Sequence, residues 1–180
     1  AKRNVNVVLD TIENIDFEAK TVHGQAASYD YDYVVIAAGS KPTYFGVEGA
    51  EEYSWKLWSY SDAVNLREHI LNQFRAAQKE TNIEEKRRLL TFHIVGAGFT
   101  GVEMAGELAE WAPILCDKFE IDRDDVTIVD VDVLPRVVPT LSQASSDKIQ
   151  RRMEKMGIRT ALGLSVSKIG PDFIEAKDKD

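Results

Sequence analysis

Apolar positions along the first forty residues fall in short strand-length groups separated by polar turns. Val5-Asn6-Val7-Val8-Leu9 is strand-like, and Ile12 to Val22 reads as two short strands joined by a turn. Tyr29-Asp-Tyr-Asp-Tyr33 leads into Val34-Val35-Ile36-Ala37-Ala38-Gly39, an apolar run that predicts a strand buried on both faces. Ser40-Lys41-Pro42 and Gly46-Val47-Glu48-Gly49 predict the loop after it. The pattern then changes. Ser59 or Ser61 caps a helix with Asp62 in its first turn, and Ala63, Leu66, Ile70 and Phe74 form its apolar stripe to about Ala77. Lys79 to Arg88 reads as a charged connector and a domain boundary.

Beyond it the pattern sharpens. Leu89 to Val95 predicts a strand, Gly96 to Gly101 a turn, and the following residues a helix to about Leu115. An acidic loop with Glu120, Asp122, Asp124 and Asp125 precedes a strand at Val126-Thr127-Ile128-Val129. A helix from about Ser145 to Met156 stops at Gly157, and Ile158–Leu162 and Ser165–Ile169 are further strands. The order β-α-β-α-β predicts an α/β fold, a Rossmann-like three-layer domain with a parallel sheet, preceded by a β-rich segment.

Composition narrows the function classes. With 44% hydrophobic residues in 180, the chain has material for a core. A net charge of −8 disfavours nucleic acid as a partner, yet leaves room for a small anion held at a helix terminus. One cysteine, Cys116, excludes an intrachain disulfide and a thiolate zinc cage, and His23, His69 and His93 have no ligand spacing, so no metal site is expected. The histidines, Trp55, Trp58 and Trp111 read as structural, core or interface residues. No apolar run approaches the roughly 20 residues of a membrane span, and no signal peptide opens the chain, which fits a cytoplasmic, reducing compartment.

The chemistry sits in Gly96-Ala-Gly-Phe-Thr-Gly101. This Gly-x-Gly-x-x-Gly follows a strand, opens a helix and has an acid after the next strand, the context of a dinucleotide-binding turn. Gly96 suits the tight turn, Gly98 lets backbone amides approach a pyrophosphate, and Gly101 lets the helix pack closely on the strand. Asp130 is expected to end the second strand and accept the adenosine ribose hydroxyls, with Asp132 as rival. It lies 29 residues after Gly101, more than the usual distance of about 20. Glu103 is expected in the first turn of the helix, where a carboxylate also suits the dipole.

Four stretches together carry a family likeness: Tyr31-Asp-Tyr-Val-Val-Ile-Ala-Ala-Gly-Ser-Lys-Pro42, Phe45-Gly-Val-Glu-Gly49, Phe92-His-Ile-Val-Gly-Ala-Gly-Phe-Thr-Gly-Val-Glu-Met-Ala-Gly-Glu-Leu108, and Val126 to Pro139. They resemble the pyridine-nucleotide–disulfide oxidoreductase superfamily, and within it the type II NADH dehydrogenases. That resemblance implies an FAD domain interrupted by an NADH domain, then a membrane-associated part. Here the first flavin fingerprint, the second flavin motif and a membrane tail are missing, so the chain reads as a central fragment. Residues 1–45 would end the first FAD segment, 46–84 would be a connecting loop and helix, and 85–180 a truncated NADH domain.

On the same likeness Ala38, Gly39 and Ser40 border FAD, and Gly96, Ala97, Gly98, Phe99, Thr100, Gly101, Asp130 and Val131 bind NADH. Glu103 would orient the nicotinamide end and help manage protons near the reduced flavin. The implied activity is hydride transfer from NADH to FAD, with electrons passed to a quinone. Quinone and membrane, at the inner face of the cell membrane, would be reached only through the rest of the parent. The fragment alone is expected to be inactive, to carry no FAD and to self-associate. The alternatives are the NAD(P)H domain of another flavoprotein disulfide or ferredoxin-type reductase, and a non-catalytic interaction module of the same fold.

Overall fold

In the computed structural model, which describes residues 4–178, the N-terminal segment forms three antiparallel strands. They are β1 (Ile12–Asp16), β2 (Thr21–Gly24) and β3 (Ser28–Asp30), with β2 in the middle. The carboxylate of Asp10 fastens the sheet: it accepts from the amides of Thr11 and Ala26 and, at 2.8 Å, from the Tyr29 hydroxyl. The Tyr29 bond holds the Asp10 carboxyl below its usual range. Gly24 leaves room for it: a Cβ there would fall 2.1 Å from Asp10 Oδ2 and make that carboxylate shift.

Two expected strands do not form. Val5–Leu9 and Val34–Gly39 have no ladder partner among the described residues. Leu9 is 97% exposed and Val35 88%, so the second run is not buried on both faces. Apolar β-branched sequence favours extended backbone, but a strand exists only where a neighbour takes its N–H and C=O groups.

The chain divides into two compact units between Lys41 and Pro42. The second begins with the short helix α1 (Ala50–Tyr53) and the long helix α2 (Tyr60–Lys79). Ser59 and Asp62 form a reciprocal capping box, and Ile70, Phe74 and Ala77 are the buried stripe. The segment expected as a charged connector contains a helix, α3 (Ile83–Leu89). Its charges are ordered for one: Asn82 caps, Glu84 and Glu85 open, and Lys86, Arg87 and Arg88 close. Trp55, on the loop before α2, is half exposed and stacks on His69 at 4.3 Å.

The parallel sheet has the order β4 (Thr91–Val95), β5 (Thr127–Asp132), β6 (Ile158–Leu162). Helix α4 (Phe99–Phe119) follows β4, and α5 (Gln143–Lys155) precedes β6. The α/β fold is Rossmann-like, as expected. α4 runs past Leu115 and ends only where Glu120 turns left-handed, φ 54°, returning its amide to the Cys116 carbonyl. Phe74, Leu90, Leu115, Ile128 and Ile158 fill the core, with the Phe74 ring 6.1 Å from those of Phe92 and Phe119. Cys116 is buried there, and burial pushes its thiol up, away from reactive thiolate. A closing hairpin pairs β7 (Leu164–Ile169) with β8 (Ile174–Asp178), the latter unforeseen. The Ile169 amide donates to the Glu48 carbonyl at 2.8 Å, tying that hairpin to the loop before α1.

Candidate functional site

The site is the turn between β4 and α4. Gly96 has φ 110°, a conformation that favours glycine, and its amide donates to the Val131 carbonyl at 2.7 Å. Ala97 is fully buried with both backbone groups committed: its amide donates to Asp132 Oδ2 at 2.7 Å, and its carbonyl accepts from Val138 at 2.7 Å. Gly98 caps α4, and its carbonyl takes the Val102 amide at 3.0 Å. The amides of Phe99, Thr100 and Gly101 therefore open the helix ahead of its first internal bond, at the positive end of the dipole.

The glycines divide the work. A Cβ at Gly101 would stand 1.8 Å from the Gly96 carbonyl oxygen and 3.5 Å from Ile94 Cγ2, so Gly101 is where the helix meets the strand end. A Cβ at Gly98 would meet nothing within 4 Å. The space beside Gly98 and the opening amides is where an anionic group fits. Phe99 and Thr100 are exposed at its edge.

Three expectations need correction. Asp130 does not end the second strand: β5 continues to Asp132. Asp130 is fully buried and neither carboxylate oxygen has a hydrogen-bond partner, so it is closed to a ribose. Asp132 occupies the strand end, joined to the turn through Ala97 and accepting the Leu134 amide at 2.7 Å on its other oxygen. Alternation carries on through buried Val131, and that was the sequence signal for the later acid. Second, Glu103 is the fifth residue of α4 and lies outside the first turn, which holds no acid; its side chain is exposed. Third, Ala97 and Val131 are buried builders of the turn, and their side chains offer a ligand no surface.

Ala38, Gly39 and Ser40 belong to the other compact unit. They are exposed, in a stretch without regular structure, and Gly39 has φ +76°. Nothing around them encloses a flavin among the described residues. No cluster of three or more His, Cys, Asp or Glu suited to a metal ion occurs there either, and no helix is long and apolar enough to cross a membrane.

A family model described as pyridine nucleotide-disulphide oxidoreductase matches residues 1–180. A type II NADH:quinone oxidoreductase of Mycobacterium tuberculosis is 34% identical over 185 aligned residues, covering 99% of this chain and 40% of that protein. One of Staphylococcus aureus is 33% identical, covering 87% of this chain and 39% of that protein. Among solved structures, NDH2 of Plasmodium falciparum in complex with NADH superposes with a TM-score of 0.80 at 21% identity, over 94% of this chain and 36% of that one. The sulfide:quinone oxidoreductase of Aquifex aeolicus superposes with 0.67 at 22% identity, over 94% and 38%. The chain thus spans about 40% of the length of the curated relatives it matches.

Proposed function

The chain belongs to the pyridine nucleotide-disulphide oxidoreductase family, and from that premise we propose that it is the NADH-binding part of a type II NADH:quinone oxidoreductase. The observation that carries this reading is the turn itself, with Gly98 open, three helix amides forward and Asp132 at the adjoining strand end. A dinucleotide diphosphate matches the amides and the helix dipole. Asp132 matches the vicinal hydroxyls of the adenosine ribose. When bound, the nicotinamide supplies a hydride, which in the whole protein goes to FAD and on to a quinone as electrons.

The residues of this chain bind and orient. Gly98, Phe99, Thr100 and Gly101 hold the diphosphate, Asp132 fixes the adenosine end, and Glu103, one turn into α4, serves the nicotinamide end. Ala38–Ser40 border the flavin only in the company of the rest of that protein, which also supplies the contact with quinone and the inner face of the membrane. A disulfide reductase that carries its cysteine pair in this part of the protein is excluded by the single, buried Cys116.

Quenching of intrinsic tryptophan fluorescence by NADH tests the reading. Saturable binding of NADH, weaker binding of NADPH and loss of binding in Gly98→Val are expected. Absence of saturable binding returns the chain to the class of interaction modules that keep the fold alone.

A further inference from the structure

Asp130 is a buried carboxylate that the proposed function leaves without a task. It is fully buried, both oxygens lack a partner, and it shares a strand face with Asp132, two residues on. Across the sheet its registered neighbours are Ile94 on β4 and Thr160 on β6, neither ionisable. Ile94 in turn supports Gly101, with Cγ2 3.5 Å from where a Cβ would stand. Asp130 therefore lies one strand, about 4.8 Å, from the residue beneath the opening turn of α4.

The charges around it are few. Asp132 is the one that acts on it, and it repels. The acids of α4, Glu103, Glu107, Glu110 and Asp117, are exposed. On α5, Gln150 reaches Thr160 Oγ1 at 3.4 Å and Asp147 is engaged by Gln143, while Arg159 and His93 occupy alternate strand positions on the opposite face. No cation compensates Asp130 among the described residues, and burial followed by the Asp132 charge pushes its carboxyl up to about 6.

We infer that Asp130 is a proton acceptor coupled to the glycine turn, so that binding a dinucleotide diphosphate draws a proton from solvent onto its carboxylate. The inference rests on the NADH-binding reading above. An ionised Asp130 opposes the positive end of α4 that the diphosphate needs. A bound diphosphate adds negative charge close by and favours the neutral acid. The proton comes from water or buffer and adds to a carboxylate oxygen, and no bond of the dinucleotide changes. By linkage, affinity is highest where Asp130 is already protonated and falls as pH rises through its titration.

The experiment is calorimetric titration of the purified protein with NAD+, which cannot reduce a flavin and survives mild acid. It is run from about pH 5.5 to about pH 8, in paired buffers of different ionisation enthalpy. If binding raises the Asp130 carboxyl by one unit, affinity falls about tenfold across that range, with net proton uptake near its middle. Asp130→Asn should bind with little pH dependence, and more tightly than wild type at the alkaline end. A carboxyl-carbon NMR titration of the unmodified protein gives a second readout should that variant fold poorly: the Asp130 midpoint must rise when NAD+ is added. Binding with no proton uptake and an unmoved midpoint overturns the coupling while leaving the NADH site intact. No binding at any pH overturns both.

Discussion

Ala97 and Asp132 stand 35 residues apart in sequence and are joined by a 2.7 Å hydrogen bond from the Ala97 amide to the Asp132 carboxylate. That bond ties the glycine turn after β4 to the end of β5, so the positions proposed for the diphosphate and the ribose are joined directly. Asp132→Asn keeps an acceptor for the Ala97 amide, turns an NH2 donor towards the Leu134 amide that the other carboxylate oxygen had accepted, and removes the charge offered to the ribose hydroxyls. A charge-assisted bond of that kind is worth about 1.5–3 kcal/mol. NADH should bind roughly 10- to 100-fold more weakly, and the preference over NADPH should shrink, because the 2′-phosphate no longer meets a like charge. Parallel titrations with the two cofactors measure both. Unchanged discrimination in the variant removes Asp132 from the site.

The second and third glycines of the turn should separate folding from binding. Gly101→Ala puts a methyl 1.8 Å from the Gly96 carbonyl oxygen, and backbone must shift to admit it. A loss of stability of about 1–3 kcal/mol is expected, read by urea denaturation. Gly98→Ala meets nothing within 4 Å, and φ −75° suits any residue. Its cost as a poorer cap is about 1 kcal/mol or less. Its larger effect should fall on NADH affinity, since the methyl enters the space assigned to the diphosphate. Equal behaviour of the two variants would contradict this division.

Asp130 makes stability depend on pH even without ligand. Its folded carboxyl titrates at about 6 against the ordinary value of 3.8, so the folded state holds the proton more tightly. The associated stability is fully present below about pH 3.8 and is lost as pH rises through about 6. Two units at 1.36 kcal/mol each make that loss about 3 kcal/mol. Asp130→Asn, neutral throughout, should melt at least several degrees above wild type near pH 8, and the gap should close towards pH 4. Thermal melts across that range check it, and a constant gap would mean that Asp130 is not ionised in the folded protein.

Much of this corner was legible in the sequence because its signals are local. Strand, glycine spacing and the apolar stripe of α4 need only neighbours in the chain, and Ser59 with Asp62 announces α2 on its own. The failures came where structure depends on something distant. Val34–Gly39 has strand composition, but no strand pairs with it among the described residues, and Val35 is exposed. Asp130 and Asp132 differ by two places on one strand face, so composition could not tell the buried acid from the one at the corner. The strand's length decided it. The helix α3 was hidden for another reason: none of its seven residues is fully buried, leaving the Asn82 cap and the charge order as its signals.

Glu103 remains the candidate for the nicotinamide end, and its exposed place on α4 sets a strict test. Glu103, Glu107 and Glu110 follow one another along the helix at four and three residues, all exposed. At 1.5 Å per residue, Glu107 is about 6 Å and Glu110 about 10 Å further from the glycine turn than Glu103. Three acids on one face read equally well as a solvated stripe. The two readings differ in how the effect falls with distance. A carboxylate that orients the nicotinamide or moves a proton beside it acts over a hydrogen bond, so replacing Glu103 should matter and replacing Glu110 should not. In the flavin-containing protein, Glu103→Gln should lower turnover with NADH about 100-fold, the lower end for loss of a group that transfers a proton. Stability should move by less than about 0.5 kcal/mol, as at other exposed positions. Glu110→Gln should leave both unchanged. If Glu103→Gln turns over at the wild-type rate, or if the two variants lose activity alike, Glu103 is a solvated helix acid and the nicotinamide end is managed by residues outside this chain.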